Sequence, residues 1–344
     1  MNNPLTLGKL WGLRRLASKT GHFSMLAIDQ RPPIEQAIAV GRKINPSAVA
    51  FDDMVLVKRL LAEVLAPHAS ATLVDPNYAY PAAIDVLSAN QGLILTLEDH
   101  RFEVTPAGRQ SHSIKNWTVD KIRRIGGDAV KVLAWWRPDI GDEVRAHQAR
   151  YVKEVGLACK AADIPFIFEL LVYPFPSEAG HTTAYTDDPN KHPQWVIDSV
   201  REFSKPEYGV DLFKLESPVP AANLPSFDAP EALKIQKYFD EIGALCDAAH
   251  RPWVMLSAGA KADQFANVLR FAYTAGANGY LAGRAIWWES LKHFPDLQKA
   301  REQLEHEGVP YMRELVSLTA KHAKPWQPNY QLTARAEGEF AAGY

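Results

Sequence analysis

The sequence predicts an α/β protein built as a (β/α)8 TIM barrel, and three observations carry that expectation. Short β-rich runs recur eight times along the 344 residues. They are nearly continuous apolar runs, as parallel strands covered on both faces require, and do not alternate as a half-exposed sheet does. Segments with helical periodicity lie between them, and such alternation over roughly 300 residues is the pattern of a closed α/β barrel. A doubly wound sheet is the alternative. No G-x-G-x-x-G follows an early strand, which weighs against a dinucleotide-binding version.

The chain is read as one barrel domain over 1–344, with an N-terminal helix at about 5–20 and a C-terminal extension at about 325–344. "KLWGLRRLAS" reads as a short amphipathic helix covering a barrel end, with a membrane-surface helix as the alternative. Strands are expected at "HFSMLAID" (22–29), "SATLVD" (70–75), "GLILTLE" (92–98) and "DAVKVLAWW" (128–136). The other four are "PFIFELLVY" (165–173), "DLFKLES" (211–217), "WVMLSAG" (253–259) and "GYLAGR" (279–284). "FDDMVLVKRLLAEVLAPH" (51–68) places Met54, Leu56, Leu60, Leu61, Val64 and Leu65 near one helical stripe. Asp52 and Asp53 suit its positive N-terminus. Helices are also expected at 146–163, 231–250 and 262–277, the last ended by Gly276. The turn-rich segment 174–194 follows strand five, on the face where barrel active sites lie, and is either a lid or a solvated insertion. The tail after 325 is expected to be partly disordered.

The composition, 47% hydrophobic and 23% charged with a formal charge of −2, fits a globular protein and lacks a basic nucleic-acid footprint. Two cysteines, Cys159 and Cys246, imply neither a disulfide framework nor a thiolate zinc cluster. No signal peptide and no membrane span are read, so a cytoplasmic location is the default expectation.

In a barrel, charged residues at the C-terminal ends of strands read as catalytic more often than structural. Strand one ends with Asp29 and Arg31, strand two with Asp75, and strand four carries Lys131. Strand five carries Glu169, and strand six carries Lys214 and Glu216. Strands seven and eight end with Ser257, Gly259, Gly283 and Arg284. Asp75, before Pro76, reads as a turn former. Neighbouring strands lie about 4.8 Å apart, so Lys131, Glu169 and Lys214 can converge. Schiff-base chemistry needs a neutral amine, and a second ammonium nearby disfavours protonation of the first; Lys131 could play that part for Lys214. Glu169 is the candidate proton shuttle. Asp29 could hold a substrate hydroxyl or pair with a lysine. The turns after strands seven and eight, with Arg284, suit a phosphate.

At these residues the sequence resembles the tagatose 1,6-bisphosphate aldolase family of class I aldolases. The matching motifs are "AIDQR" (27–31), "LVDPNYAYPA" (73–82), "AVKVL" (129–133), "IPFIFELLVY" (164–173), "VDLFKLESPV" (210–219), "LSAGA" (256–260) and "GYLAGRAIW" (279–287). The resemblance implies a barrel that cleaves a ketose 1,6-bisphosphate to dihydroxyacetone phosphate and a three-carbon aldehyde phosphate, without metal or other cofactor. It implies Lys214 as the Schiff-base lysine, Glu169 as acid/base, Lys131 and Asp29 beside them, and Ser257 and Arg284 as phosphate ligands. It departs from the family at Pro32-Pro33, at the tryptophans of "AWWRPD", and in the 174–194 loop with His181, Lys191 and His192. Those departures leave the far end of the substrate open, as phosphate, sulfonate or hydroxymethyl, and an aldolase of the same mechanism acting on sulfofructose 1-phosphate is one alternative. A metal-dependent barrel lyase and a non-catalytic sugar-phosphate-binding regulator are the others. A homo-oligomer is expected, with a small-molecule sugar phosphate and neither nucleic acid nor membrane as partner.

Overall fold

The computed structural model describes residues 5–178, 188–330 and 337–343. Eight parallel strands close into a barrel in chain order. They are β1 (Phe23–Ala27), β2 (Ala71–Val74), β3 (Gly92–Thr96), β4 (Ala129–Trp135), β5 (Phe166–Leu171), β6 (Leu212–Leu215), β7 (Trp253–Met255) and β8 (Gly279–Ala282). All eight fall inside the runs expected from sequence, and each is shorter, because the ladder ends where the chain turns outward while the apolar run continues.

The continuous apolar runs resolve into two phases, because successive side chains on a strand face opposite ways. Met25, Ala27, Ala71, Leu73, Ile94, Ala129, Ile167, Leu212, Val254 and Leu281 form one core inside the barrel. Their neighbours, such as Leu26, Val74, Leu95, Val130, Phe168, Phe213 and Tyr280, join the larger core between strands and helices. The helix Leu7–Leu16 contributes Leu13 and Leu16 to the inner core. It therefore stops the N-terminal end of the barrel, as expected for a helix covering a barrel end.

The helix Phe51–Leu65 differs from its expected stripe at one position. Met54, Leu60, Leu61, Val64 and Leu65 are buried, but Leu56 is exposed and Val57 and Lys58 take the inner face. The other expected helices appear as Asp142–Ala161, Ala232–Ala248 and Ala262–Thr274. A two-stranded hairpin, Glu103–Thr105 with Gly108–Gln110, follows β3 and was not expected. Its strands are three residues each, too short for an alternating pattern to register. Within the C-terminal extension, Trp326 packs on Phe23 at the barrel base. No helix among the described residues is long and apolar enough to cross a membrane.

The inner core gives a direct test of the barrel stopper. Leu13 is fully buried, so Leu13→Ala is predicted to cost about 2–5 kcal/mol of stability. Urea unfolding should show that loss, and an unchanged midpoint would remove the helix from the folding core.

Candidate active site

The inward phase of the strands builds the site in layers. On β4, Ala129, Lys131 and Leu133 share one face; on β5, Ile167, Glu169 and Leu171 do; on β6, Leu212 and Lys214 do. The lowest layer is apolar and belongs to the inner core. The next layer is Lys131, Glu169 and Lys214. Register sets Glu169 directly beside Lys214 and Lys131 beside Ile167, one inward position lower, from where its long side chain reaches Glu169. Lys131, Leu133, Glu169, Leu171 and Lys214 line one cavity at the C-terminal mouth, with Asp29, Gln30, Arg31, Pro32, Pro33, Glu98, His100, Leu256, Ala258 and Arg284.

One carboxylate oxygen joins the two amines. Glu169 Oε2 lies 2.9 Å from Lys214 Nζ and 2.8 Å from Lys131 Nζ. Lys131 also donates to Asp29 Oδ2 at 3.1 Å and to Glu98 Oε1 at 2.7 Å. All five side chains are nine-tenths buried or more. Burial alone would pull the Lys131 ammonium down, but the charges of Asp29, Glu169 and Glu98 hold its pKa well above the ordinary lysine value. Burial likewise pushes Asp29 and Glu169 up. Lys131 and Lys214 outweigh it and hold both carboxyls below the usual carboxylate range.

Lys131 is therefore not the bare second ammonium that the sequence suggested. Three carboxylates surround it, and its geometric role is to hold Asp29, Glu98 and Glu169 together. Glu98 is the member of this cavity cluster that sequence reasoning missed. It lies two past the end of β3, in phase with Ile94, and that parity could have found it. One oxygen of Glu98 (Oε2) and one of Asp29 (Oδ1) are buried and accept no hydrogen bond within the described residues.

The anion-binding expectations fall on both rims. Ser257, Ala258, Gly259 and Ala260 form a tight turn after β7, closed by Ala260 N–H donating to the Ser257 carbonyl at 2.7 Å. Ala258 and Gly259 both take positive φ, 46° and 86°, which suits a primed turn and explains the glycine. A Cβ on Gly259 would stand 3.1 Å from the Arg284 guanidinium, so turn and arginine adjoin. Gly283 caps the helix Arg284–Leu291. Ala258 and Arg284 themselves line the cavity, while Ser257, Gly259 and Gly283 shape the turns behind them. Among the described residues, the side chain of Arg31, 3% exposed, reaches only the Glu98 carbonyl, at 3.4–3.5 Å, and its Nε has no partner. Pro32 and Pro33 open the helix Pro32–Arg42, where a missing N–H costs nothing, and both wall the cavity.

Several other expectations resolve as architecture. Asp75 accepts from the N–H groups of Asn77, Tyr78 and Ala79, as a turn former should. Trp135 is not a cavity wall: with Phe102 and Tyr173 it cages the Arg109 guanidinium at 4.4–4.6 Å. Trp287 is fully buried and donates to the Ala27 carbonyl. Of the 174–194 loop, residues 179–187, with His181, lie outside the described residues. Lys191 is buried and pairs with Glu216 at 2.7 Å, while His192 stacks edgewise on Trp195.

Fold and site define a barrel aldolase, a carbon–carbon lyase. The DeoC/LacD family aldolase profile matches residues 23–289. A tagatose 1,6-diphosphate aldolase of Lactococcus lactis subsp. lactis is 33% identical over 328 residues, covering 94% of this chain and 98% of that one. Tagatose 1,6-diphosphate aldolase 1 of Streptococcus mutans is 32% identical over 334 residues, covering 94% and 99%. The fructose-bisphosphate aldolase of Plasmodium falciparum shares the fold, with a TM-score of 0.63 at 13% identity over 94% of this chain and 98% of that one. The chain belongs to the DeoC/LacD aldolase family.

The pKa shifts set opposite pH limits. Asp29 and Glu169 contribute stability that is present above ordinary carboxylate pKa values and is lost as pH falls through their lower folded values. Lys131 contributes below its ordinary 10.5 and loses that contribution as pH rises through its raised folded value. His100 has the other sign: burial, with Arg31 nearby, lowers it from 6.5 to about 4. Between those values the unfolded chain binds a proton that the folded chain refuses, so His100 erodes stability as pH drops through that window. His100→Gln is predicted to flatten the profile of urea midpoint against pH between 6.5 and 4; an identical slope in the variant would contradict it.

Proposed function

We propose that the chain cleaves a ketose 1,6-bisphosphate of the tagatose 1,6-bisphosphate kind, giving dihydroxyacetone phosphate and a three-carbon aldehyde phosphate, through a Schiff base on Lys214. The observation that carries this reading is the shared Glu169 oxygen. It gives the Lys214 amine a proton acceptor at 2.9 Å, inside the cavity at the barrel mouth. The names of the relatives supply the substrate class.

The steps follow from the contacts. Lys214 yields a proton to Glu169, and the neutral nitrogen attacks the C2 ketone, forming the N–C2 bond. The nitrogen, cationic after the attack, passes one of its protons to the resulting oxyanion, giving a neutral carbinolamine. Glu169 then returns its proton to that hydroxyl, which leaves as water, and an iminium remains. A carboxylate removes the C4 hydroxyl proton, the C3–C4 bond breaks, and its electron pair moves into the iminium to make an enamine. The aldehyde departs. C3 is protonated, water adds to the iminium, and dihydroxyacetone phosphate leaves Lys214. The open oxygens of Asp29 and Glu98 suit the hydroxyls beyond the ketone. Lys131, held charged, keeps Asp29 ionised and gathers Glu98 beside it. The turn at 257–259 with Arg284 suits the 1-phosphate, and Arg31 suits the 6-phosphate.

Borohydride with dihydroxyacetone phosphate should fix a covalent adduct on Lys214 that Lys214→Ala lacks. An adduct on another residue, or none, would sink the reading. Glu169→Gln should lower kcat by about 10²–10⁴-fold. Arg31→Met should raise KM about tenfold or more for the bisphosphate and leave the corresponding 1-phosphate less affected; equal effects on both would move the far anion away from Arg31.

A further inference from the structure

A third lysine is placed without touching the cavity. Lys58, on the inner face of the helix Phe51–Leu65, is fully buried. Its ammonium donates to the Ile28 carbonyl at 2.8 Å, the Gln30 carbonyl at 2.7 Å and Asp75 Oδ2 at 2.5 Å. An ammonium has three donors, so all are used. The two carbonyls bracket Asp29 on either side. Asp75 is itself fixed by the backbone of the turn after β2, with Asn77 and Tyr78 donating to its Oδ1 at 3.0 and 2.8 Å.

Stability alone is a weak reason for this arrangement. A fully buried ion pair is costly to desolvate, and apolar side chains would hold a helix on a barrel at least as well. An apolar pair could not grip two carbonyls. The grip spans the end of β1: Ile28 N–H still bonds to the Leu73 carbonyl of β2 at 2.9 Å, and Lys58 carries the hold on to Gln30, in the run that supplies Asp29, Gln30 and Arg31 to the cavity.

We propose that Lys58 is a positioning residue. With Asp75 it sets the Asp29–Arg31 turn, so that Asp29 meets Lys131 through Oδ2 and presents Oδ1 to a substrate hydroxyl. The proposal rests on the Schiff-base reading above. Lys214 and Glu169 stand on their own strands and owe nothing to this grip. Amine attack on a ketone therefore survives its loss, and carbon–carbon cleavage does not.

The test uses the full chain in two forms, Lys58→Met and the charge-balanced double variant Lys58→Met with Asp75→Asn. The double variant leaves no unpaired buried charge. In the folded variants, borohydride trapping of dihydroxyacetone phosphate on Lys214 should match the parent. The kcat for tagatose 1,6-bisphosphate should fall about 10- to 100-fold, as expected for a displaced catalytic carboxylate, with KM changing less. Parental kcat and KM in a folded variant would overturn the proposal. So would trapping that falls in step with cleavage, or failure of both variants to fold, which would leave the pair a purely structural role. Absence of trapping in the parent protein strikes the Schiff-base reading instead, so the two failures are distinguishable.

Discussion

The site depends on one carboxylate, that of Glu169, accepting from two ammonium groups through a single oxygen. Removing either amine would leave a buried charge poorly compensated, a loss of about 3–5 kcal/mol for a buried pair. The arrangement persists because it is a network. Two lysines and three carboxylates offset one another's charge, and strands carry both lysines and Glu169. Lys131, Glu169 and Lys214 come from β4, β5 and β6, whose ladders set Glu169 level with Lys214 and Lys131 one inward position lower, beside Ile167.

The apolar layer beneath explains why that network can hold its charge state. Ala129, Ile167, Leu212 and their neighbours fill the lower barrel, and the helix Leu7–Leu16 stops its base. A low-dielectric floor strengthens every charge–charge contact above it and penalises every unpaired one. The same floor makes a proton at Glu169 more consequential than it would be at the surface.

Around the mouth, stiffness comes from cation–aromatic packing. Arg109 sits among three rings, and Arg137 stacks on Phe175 and Trp195 at 4.0 and 3.8 Å while pairing with Asp139 and Glu178. These contacts tie the hairpin after β3 and the segments after β4 and β5 to one another. On the adjoining rim, after β1 and β2, the Lys58–Asp75 pair does the corresponding work with hydrogen bonds. The rims therefore differ in chemistry: one is aromatic and cationic, the other a polar grip on backbone carbonyls.

The sequence by itself determined the barrel, because eight doubly buried strands separated by helices have few other ways to bury both faces. It also determined the floor-to-mouth order of the strand residues, since Lys131, Glu169 and Lys214 are inward by parity once the strands are placed. Glu98 was equally open to that parity, as the last residue of the expected run 92–98, and was overlooked; in the structure it stands two residues past the end of β3. Only the tertiary structure decided who pairs with whom. That Lys131 is held by three carboxylates, that Lys58 turns inward where Leu56 was expected, and that Trp135 cages an arginine all depend on contacts between residues far apart in the chain. Periodicity reports which way a side chain faces, but partnership at 3 Å is settled by strand register and loop closure, which no local pattern encodes.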